Sequence, residues 1–202
     1  MSVDEKSDVR PAGDGSEAIP GLSEELKAAT LSWCKEILAR RLEGGEGRPE
    51  GPEFRGMRGG VFVTLKKNGE LRGCIGRFDF ASLLADSIYE MVVAAAFEDP
   101  RFPPLAKSEL PGVDVTVSIL SEPKPLASLD DVVIGRDGLY LVHPWGRGVL
   151  LPVVAVERGW SPLEFAQNTC VKAGLGKDSW KDPKARLMVF TAPAFSTDPD
   201  DN

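Results

Sequence analysis

The chain has 202 residues, of which 42% are hydrophobic and 27% are charged, and its formal net charge is −7. This length fits a single domain, and the composition is typical of a globular protein with a sizeable core. No apolar run approaches the roughly 18 residues that a membrane-spanning helix needs, so no membrane association is predicted. The negative charge argues against a general nucleic-acid binder, because phosphate neutralisation needs a cationic surface.

The first part of the chain predicts a disordered tail followed by a helix. Residues 1–20 are rich in Asp, Glu, Ser, Gly and Pro, a composition that cannot bury enough apolar surface to fold. From Ser23, a favourable N-cap residue, apolar side chains then recur at helical spacing to about Leu42. A glycine-rich loop follows.

The segment GVFVTLKKNGELRGCIGRF predicts a β-hairpin, because strand-forming residues flank Asn-Gly, the preferred two-residue turn. If Asn68 and Gly69 are the two turn residues, Val63 lies opposite Cys74, and Leu65 lies opposite Arg72. Since side chains alternate along a strand, Arg72 and Cys74 are then expected on one face.

The rest of the chain predicts two more helices and four more strands. A helix over residues 82–97 is stopped by the proline-rich EDPRFPPL, and another begins after an N-cap at Ser161. The strands are predicted in GVDVTVSILSE, in GLYLVHPWGRGVLLPVVAV, which contains two, and in ARLMVFTA. The polar residues 193–202 predict a flexible C-terminal tail. Because hairpins join most neighbouring strands, we predict an α+β fold with a mainly antiparallel β-sheet flanked by helices.

The three cysteines predict free thiols rather than a disulfide framework. Cys34, Cys74 and Cys170 are odd in number and far apart, which is typical of a reducing cytoplasm. No pair has metal-ligand spacing and a single histidine cannot complete a His/Cys cluster, so neither a metal nor a cofactor is predicted. Cys34 and Cys170 fall on apolar helix faces, where they are expected to pack in the core.

Cys74 is the candidate catalytic residue. A thiol is nucleophilic as the thiolate, and the guanidinium of Arg72 on the same face would stabilise that form and bind an anionic substrate. Gly73 and Gly76 would allow a substrate or another backbone to approach closely. The alternative is that Cys74 packs beside Val63 as a small apolar residue.

Four other residues are candidates for the same site. Asp99 and Arg101, in the proline-fixed turn FEDPRFPPL, either line a substrate site or clamp the loop as an ion pair. Glu157 either lines a pocket or has a structural role where the chain enters a helix. His143, the one imidazole, would act as a base only if the fold brings it to Cys74.

The hairpin region is basic although the chain as a whole is acidic. Residues 54–77 carry six cations and one carboxylate, Glu70, which gives a local net charge of +5. Such a stretch indicates an anionic ligand or partner, nucleic acid included. The alternative is a solvated hairpin whose lysines protect its edge.

Several stretches together resemble the AMMECR domain family, named for the AMME chromosomal region: LRGCIG, AAFEDPRFPPL, DGLYL, GVLLPVVAVERGW and FAQNTCVKAGL. The resemblance runs from about Ser23 to Ala192 and sets a domain over residues 21–192. Bacterial and archaeal members are known as component A of the AmmeMemoRadiSam system. The family implies a smaller subdomain beside the main sheet, a cytoplasmic protein, and Memo-type and radical-SAM proteins as partners.

The resemblance supplies no established reaction, so three hypotheses stay open. The first is an enzyme-like component that uses Cys74 and Arg72 in a cleft on an anionic or modified substrate. The second is a non-catalytic interaction module whose LRGCIG strand docks a partner, and the third is a nucleic-acid-associated factor. Many relatives have histidine where this chain has Asp137, which weakens any mechanism that requires a Cys–His pair.

Overall fold

The computed structural model describes residues 22–199, so the predicted tail over residues 1–20 lies outside the described residues. The first helix, α1 (Glu24–Leu42), begins after Ser23, whose hydroxyl accepts a hydrogen bond from the amide of Leu26. That N-cap is the one the sequence predicts. Within the described range, no helix is long and apolar enough to cross a membrane.

The larger part of the fold is an antiparallel sheet with two helices on one face. Strands β1 (Gly60–Lys67) and β2 (Glu70–Arg77) form the predicted hairpin, α2 (Leu84–Phe97) follows, and β3 (Val113–Leu120) pairs with β1. The buried side chains of β1 and β3 alternate with half-buried ones, as expected for a sheet covered on one side. Helices α1 and α2 pack on the buried face and complete the main core.

The smaller part is a second antiparallel sheet with its own core. Its strands, β4 (Lys124–Pro125), β5 (Asp137–His143), β6 (Gly146–Leu150) and β7 (Arg186–Thr191), lie in the order β4-β7-β5-β6. Two helices, α3 (Pro152–Arg158) and α4 (Pro162–Lys172), lie between β6 and β7 in the chain. Leu139 of β5 and Phe165 of α4 are fully buried in this core. The α+β fold and its smaller subdomain are therefore confirmed.

Aromatic packing and two chain crossings join the sheets. Phe78, just after β2, has its ring centroid 4.5 Å from that of Tyr140 and 5.2 Å from that of Phe190. The chain passes from β3 in the first sheet to β4 in the second, and it returns from β7 to a final strand, β8 (Ala194–Ser196). A seam between the two sheets is thus formed by the β3–β4 and β7–β8 connections.

Two predicted elements are wrong. The VVAV segment was predicted as strand, but Pro152 begins α3 and Gly159, with φ of 61°, ends it. Proline is preorganised for the first helical position and glycine for the left-handed cap, and these signals outweigh the β preference of valine. The predicted flexible tail over 193–202 contains β8, because Phe195 is buried in the main core and its strand pairs with β3.

The hairpin has the predicted turn but not the predicted register. Asn68 and Gly69 both have positive φ, 53° and 79°, as a tight two-residue turn of this kind requires. Beyond the turn, Leu65 pairs with Gly73, so that Arg72 is an extra, unpaired residue in a β-bulge. An inserted residue shifts all pairing beyond it.

The shifted register changes the neighbour of the thiol. Thr64, rather than Val63, lies opposite Cys74, and Val63 lies opposite Ile75. The expectation that Arg72 and Cys74 share one face is also wrong, because a bulge interrupts the alternation of side chains.

Candidate functional site

Arg72 is occupied by a buried ion pair. Its Nε and Nη2 atoms each lie 3.0 Å from a carboxylate oxygen of Glu109, and Nη2 also donates to the Pro103 carbonyl at 2.9 Å. The side chain of Arg72 is only 11% exposed. The guanidinium holds the pKa of Glu109 at about 2, well below its usual value. Arg72 is therefore not accessible as an anchor for a substrate.

The two glycines of the motif are explained by packing. A Cβ atom on Gly73 would lie 2.1 Å from the carbonyl oxygen of Ala95, so the absence of a side chain lets α2 approach β2. A Cβ on Gly76 would lie 2.2 Å from the ring of Phe62, which covers this position. Each glycine thus permits a close approach, but of protein groups rather than of a substrate.

Asp99 and Arg101 close the free edge of the first sheet. Strand β2 is at that edge, and its Cys74 amide donates to Asp99 Oδ2 at 2.9 Å. Arg101 Nη2 donates to the Cys74 carbonyl at 3.1 Å and to Asp99 Oδ2 at 2.7 Å. At Cys74, the ion pair therefore satisfies both backbone groups that a further strand would otherwise bind. Hydrogen bonds from Arg101 hold the pKa of the buried Asp99 carboxyl well below its usual range.

The Cys74 thiol is half-buried and has two polar neighbours. The hydroxyl of Thr64 donates to its sulfur at 3.3 Å. The guanidinium of Arg101 lies at the same residue, with Nη2 3.1 Å from the Cys74 carbonyl oxygen, and the pKa of Arg101 is raised chiefly by Asp99. The Arg101 side chain is 53% exposed. The cation that contacts Cys74 is thus Arg101, through the carbonyl of that residue, whereas the sequence predicted Arg72.

The other two thiols are sealed in the cores. Cys34 and Cys170 have no exposed surface, as the sequence predicts. Burial raises the pKa of Cys34 to about 12 and also raises that of Cys170. Neither is a candidate nucleophile, since a desolvated thiol resists ionisation.

His143 and Glu157 lie in the second-sheet part, away from the motif. His143 is buried at the end of β5, with Nε2 3.5 Å from the Asp182 carboxylate and Nδ1 accepting from the Trp145 amide at 3.3 Å. Glu157 is exposed on α3. The structure therefore does not join either residue to the Cys74 site.

Asp137 has a structural role at the start of β5. It is 2% exposed and accepts from the Val133 amide and from two nitrogens of Arg136, all at 2.8 Å. The carboxylate closes the turn that leads into the strand. This chain thus has at position 137 a buried carboxylate that is paired with Arg136.

The basic hairpin is less positive in three dimensions than in sequence. Lys67 and Arg72 both pair with Glu109, and Arg77 pairs with Glu90. These carboxylates come from outside residues 54–77, so counting charge within the segment overstated its field. Glu109 could not be found from the sequence because it is 37 residues from Arg72. Thr64 was missed because the bulge was not foreseen.

The same two-sheet architecture occurs in a solved structure. The crystal structure of an uncharacterized protein from Pyrococcus horikoshii superposes with a TM-score of 0.77 at 33% identity, covering 86% of this chain and 92% of that one. The fold thus defines an α+β protein of an existing structural class.

Comparisons of sequence give the family. A protein of Methanothermobacter thermautotrophicus is 46% identical over 153 residues, covering 73% of this chain and 80% of the relative. One of Thermofilum pendens is 40% identical over 194 residues, covering 86% and 91%. The AMMECR1 family model matches residues 31–195. The chain belongs to the AMMECR1 family.

Proposed function

We propose that this protein is an enzyme-like component whose reactive group is the Cys74 thiol and whose anion anchor is Arg101. The observation that carries the proposal is the surroundings of the sulfur: a hydroxyl donor at 3.3 Å and a half-exposed guanidinium, on a thiol that is not sealed in the core. The hydroxyl is a hydrogen-bond donor to the sulfur, and the guanidinium is a cation that an anionic substrate could reach. The substrate class is a small or modified molecule with an anionic group and an electrophilic carbon.

Each neighbour of Cys74 has a distinct task in this proposal. Arg101 binds the anionic group of the substrate and stabilises the thiolate, which a planar, permanently charged guanidinium does well. Asp99 is a positioning residue, since its carboxylate holds both Arg101 and the Cys74 amide. Thr64 donates a hydrogen bond to the sulfur. Arg72, the anchor expected from the sequence, instead supports the fold through Glu109.

Thiol labelling tests the proposal directly. The native protein is treated with iodoacetate, which is anionic, or with iodoacetamide, which is neutral, and the labelled cysteine is found by mass spectrometry. Cys74 should react first, and relative to free glutathione it should favour the anionic reagent. Cys34 and Cys170 serve as internal controls for a folded core, and Cys74→Ser should abolish labelling. A Cys74 that stays unlabelled until the protein unfolds would overturn the proposal.

We further propose, from the family resemblance, that the protein acts together with Memo-type and radical-SAM proteins. The test is a pull-down from cells that encode all three, with wild type, Cys74→Ser and Arg101→Gln as bait. If Cys74 is catalytic, the serine variant should keep its partners and lose the modified product. If both variants lose their partners, the surface around Cys74 and Arg101 is instead a binding surface for those partners.

A non-catalytic interaction module is the second candidate. It is favoured by the packing roles of the motif, since Arg72 is held by Glu109 and Gly73 is needed for α2. A β-strand partner could not pair at Cys74 while Asp99 and Arg101 occupy its backbone groups, so such a module would bind through another surface. An inert Cys74 with intact partner binding would support this candidate.

A further inference from the structure

A cleft of about 840 Å³ lies along the seam between the two sheets. Its walls come from the loop before β1, the start of α2, the β3–β4 connection, the start of β5 and the end of β7. None of the lining residues belongs to LRGCIG or to residues 99–102, so this seam cleft is separate from the Cys74 site. Its volume is in the range of small-molecule binding sites.

The walls of the seam cleft are mixed, with more apolar than polar surface. Phe80, Val189 and Pro193 line it with half-buried apolar side chains, whereas Leu84 and Phe190 also line it but are almost entirely buried. A flat hydrocarbon or aromatic body would replace water against these walls, which is favourable in proportion to the apolar area covered. The walls therefore select for an apolar ligand body.

The rim of the seam cleft is cationic. Three exposed cations, Arg58, Lys124 and Arg136, and two carboxylates, Glu122 and Asp137, line it, which gives a net charge of +1 on a chain of net charge −7. Asp137 and Arg136 neutralise each other through two hydrogen bonds of 2.8 Å.

Two of the rim cations are not neutralised in this way. Arg58 donates to the Ala81 carbonyl, which fixes the guanidinium without cancelling its charge. Lys124 makes no ion pair with any other residue in the range 22–199. An anionic group at the rim would thus meet two uncompensated positive charges, with Glu122 as the one opposing charge.

We infer that the seam cleft binds a small organic anion, with its apolar body against Phe80 and Val189 and its anionic group at Arg58 and Lys124. A bare inorganic anion would leave the apolar walls in contact with water. An uncharged apolar molecule would gain nothing from the cations. The combination of walls and rim selects for a ligand that has both parts.

Two matched fluorescent probes test this inference on the full chain. Anilinonaphthalene sulfonate has a flat aromatic body and an anionic group, and phenylnaphthylamine has the same rings without the sulfonate. The anionic probe should bind more tightly than the neutral one. Arg58→Ala and Lys124→Ala should each weaken the anionic probe about threefold, as expected for a solvent-exposed ion pair, and leave the neutral probe unchanged.

A matched variant and a blocking variant complete the design. Arg55→Ala removes an exposed cation from the same loop that does not line the seam cleft, and it should change neither affinity. Glu122→Trp should fill the mouth and abolish binding of both probes, even though it removes the opposing carboxylate. Circular dichroism confirms that each variant is folded. The inference is overturned if the anionic probe does not bind, if it binds Glu122→Trp unchanged, or if neither cation variant weakens it.

Discussion

Two arginine–carboxylate pairs flank Cys74, and they differ mainly in burial. The Arg72–Glu109 pair has side chains that are 11% and 19% exposed, whereas Arg101 is 53% exposed above a buried Asp99. Both arginines use two nitrogens on their carboxylate. The inner pair, Arg72–Glu109, is mostly shielded from solvent and joins β2 to the segment before β3, so its main role is to support the fold. The outer pair closes a sheet edge and still presents a cation to solvent.

The comparison shows that the arginine closer to Cys74 in sequence is not the arginine that contacts it in space. Arg72 is two positions from Cys74, yet the bulge diverts its guanidinium to Glu109. Arg101 is 27 positions from Cys74, yet it bonds to the Cys74 carbonyl. The electrostatic surroundings of the thiol are therefore set by the DPRF turn rather than by its own strand.

The largest expected effect comes from breaking the Arg72–Glu109 pair. Glu109→Gln leaves the Arg72 guanidinium buried without a counter-charge and should lower the free energy of unfolding by about 3 kcal/mol, measured by urea denaturation. Arg72→Met should cost only about 1 kcal/mol, because Glu109 keeps Lys67 and the Ala106 amide as partners. The double variant should recover most of the loss. A cost for Arg72→Met as large as that for Glu109→Gln would contradict this assignment.

A somewhat smaller loss is expected on the inner face of β2 at Gly73. Gly73→Ala places a methyl group against the backbone of Ala95 and should cost about 2 kcal/mol, since overpacking a core typically costs 1–3 kcal/mol. Gly76→Ala meets the side chain of Phe62, which can rotate, so its cost should be about 1 kcal/mol or less. Thermal denaturation of both variants gives the comparison. Equal losses would mean that α2 can shift as easily as the ring.

Acid should weaken both pairs in a defined pH window. Glu109 has a folded pKa of about 2 against an ordinary value of 4.5, so the unfolded chain binds more protons between these values. The free energy of unfolding contributed by the pair is then fully present above about pH 4.5 and is lost as pH falls towards 2. The lowered pKa of Asp99 acts in the same direction.

Stability measured against pH checks this expectation. Glu109→Gln should make the free energy of unfolding fall less steeply below about pH 4.5, the acid limb of the curve, and should leave the shape of the curve at neutral pH unchanged. The matched control is Glu50→Gln, which removes an exposed carboxylate that makes no ion pair with other residues of the described range, and which should reproduce the wild-type limb. A Glu109→Gln curve parallel to wild type through the acid range would contradict the pKa assignment.

Local signals in the sequence predicted much of the fold. Ser23 and Ser161 cap helices where expected, and the Asn68–Gly69 turn forms with positive φ at both residues. These features depend on a few neighbouring residues, so no long-range information is needed. The alternation of buried residues in β3 was equally clear.

Features that depend on distant partners were not predicted. The bulge at Arg72 is fixed by the bond to Glu109 and by the approach of α2 at Gly73. The strand at Ala194–Ser196 exists because β3 offers it an edge. Cys74, Asp99 and Arg101 were found from their own motifs, including the alternative of an Asp99–Arg101 ion pair. Thr64, by contrast, required the register, and the contact of Arg101 with Cys74 required the loop path. A candidate site can thus be located from sequence before its chemistry can be assigned.

The most direct test of the central claim compares the two arginines by their effect on the Cys74 thiol. Arg101→Gln and Arg72→Gln remove the same charge, and the measured quantity is the ratio of the alkylation rates of Cys74 with iodoacetate and iodoacetamide. Arg101→Gln should lower this ratio about threefold, as expected for loss of an exposed ion pair, and Arg72→Gln should leave it at the wild-type value. A ratio that falls with Arg72→Gln and is unchanged by Arg101→Gln would contradict the account.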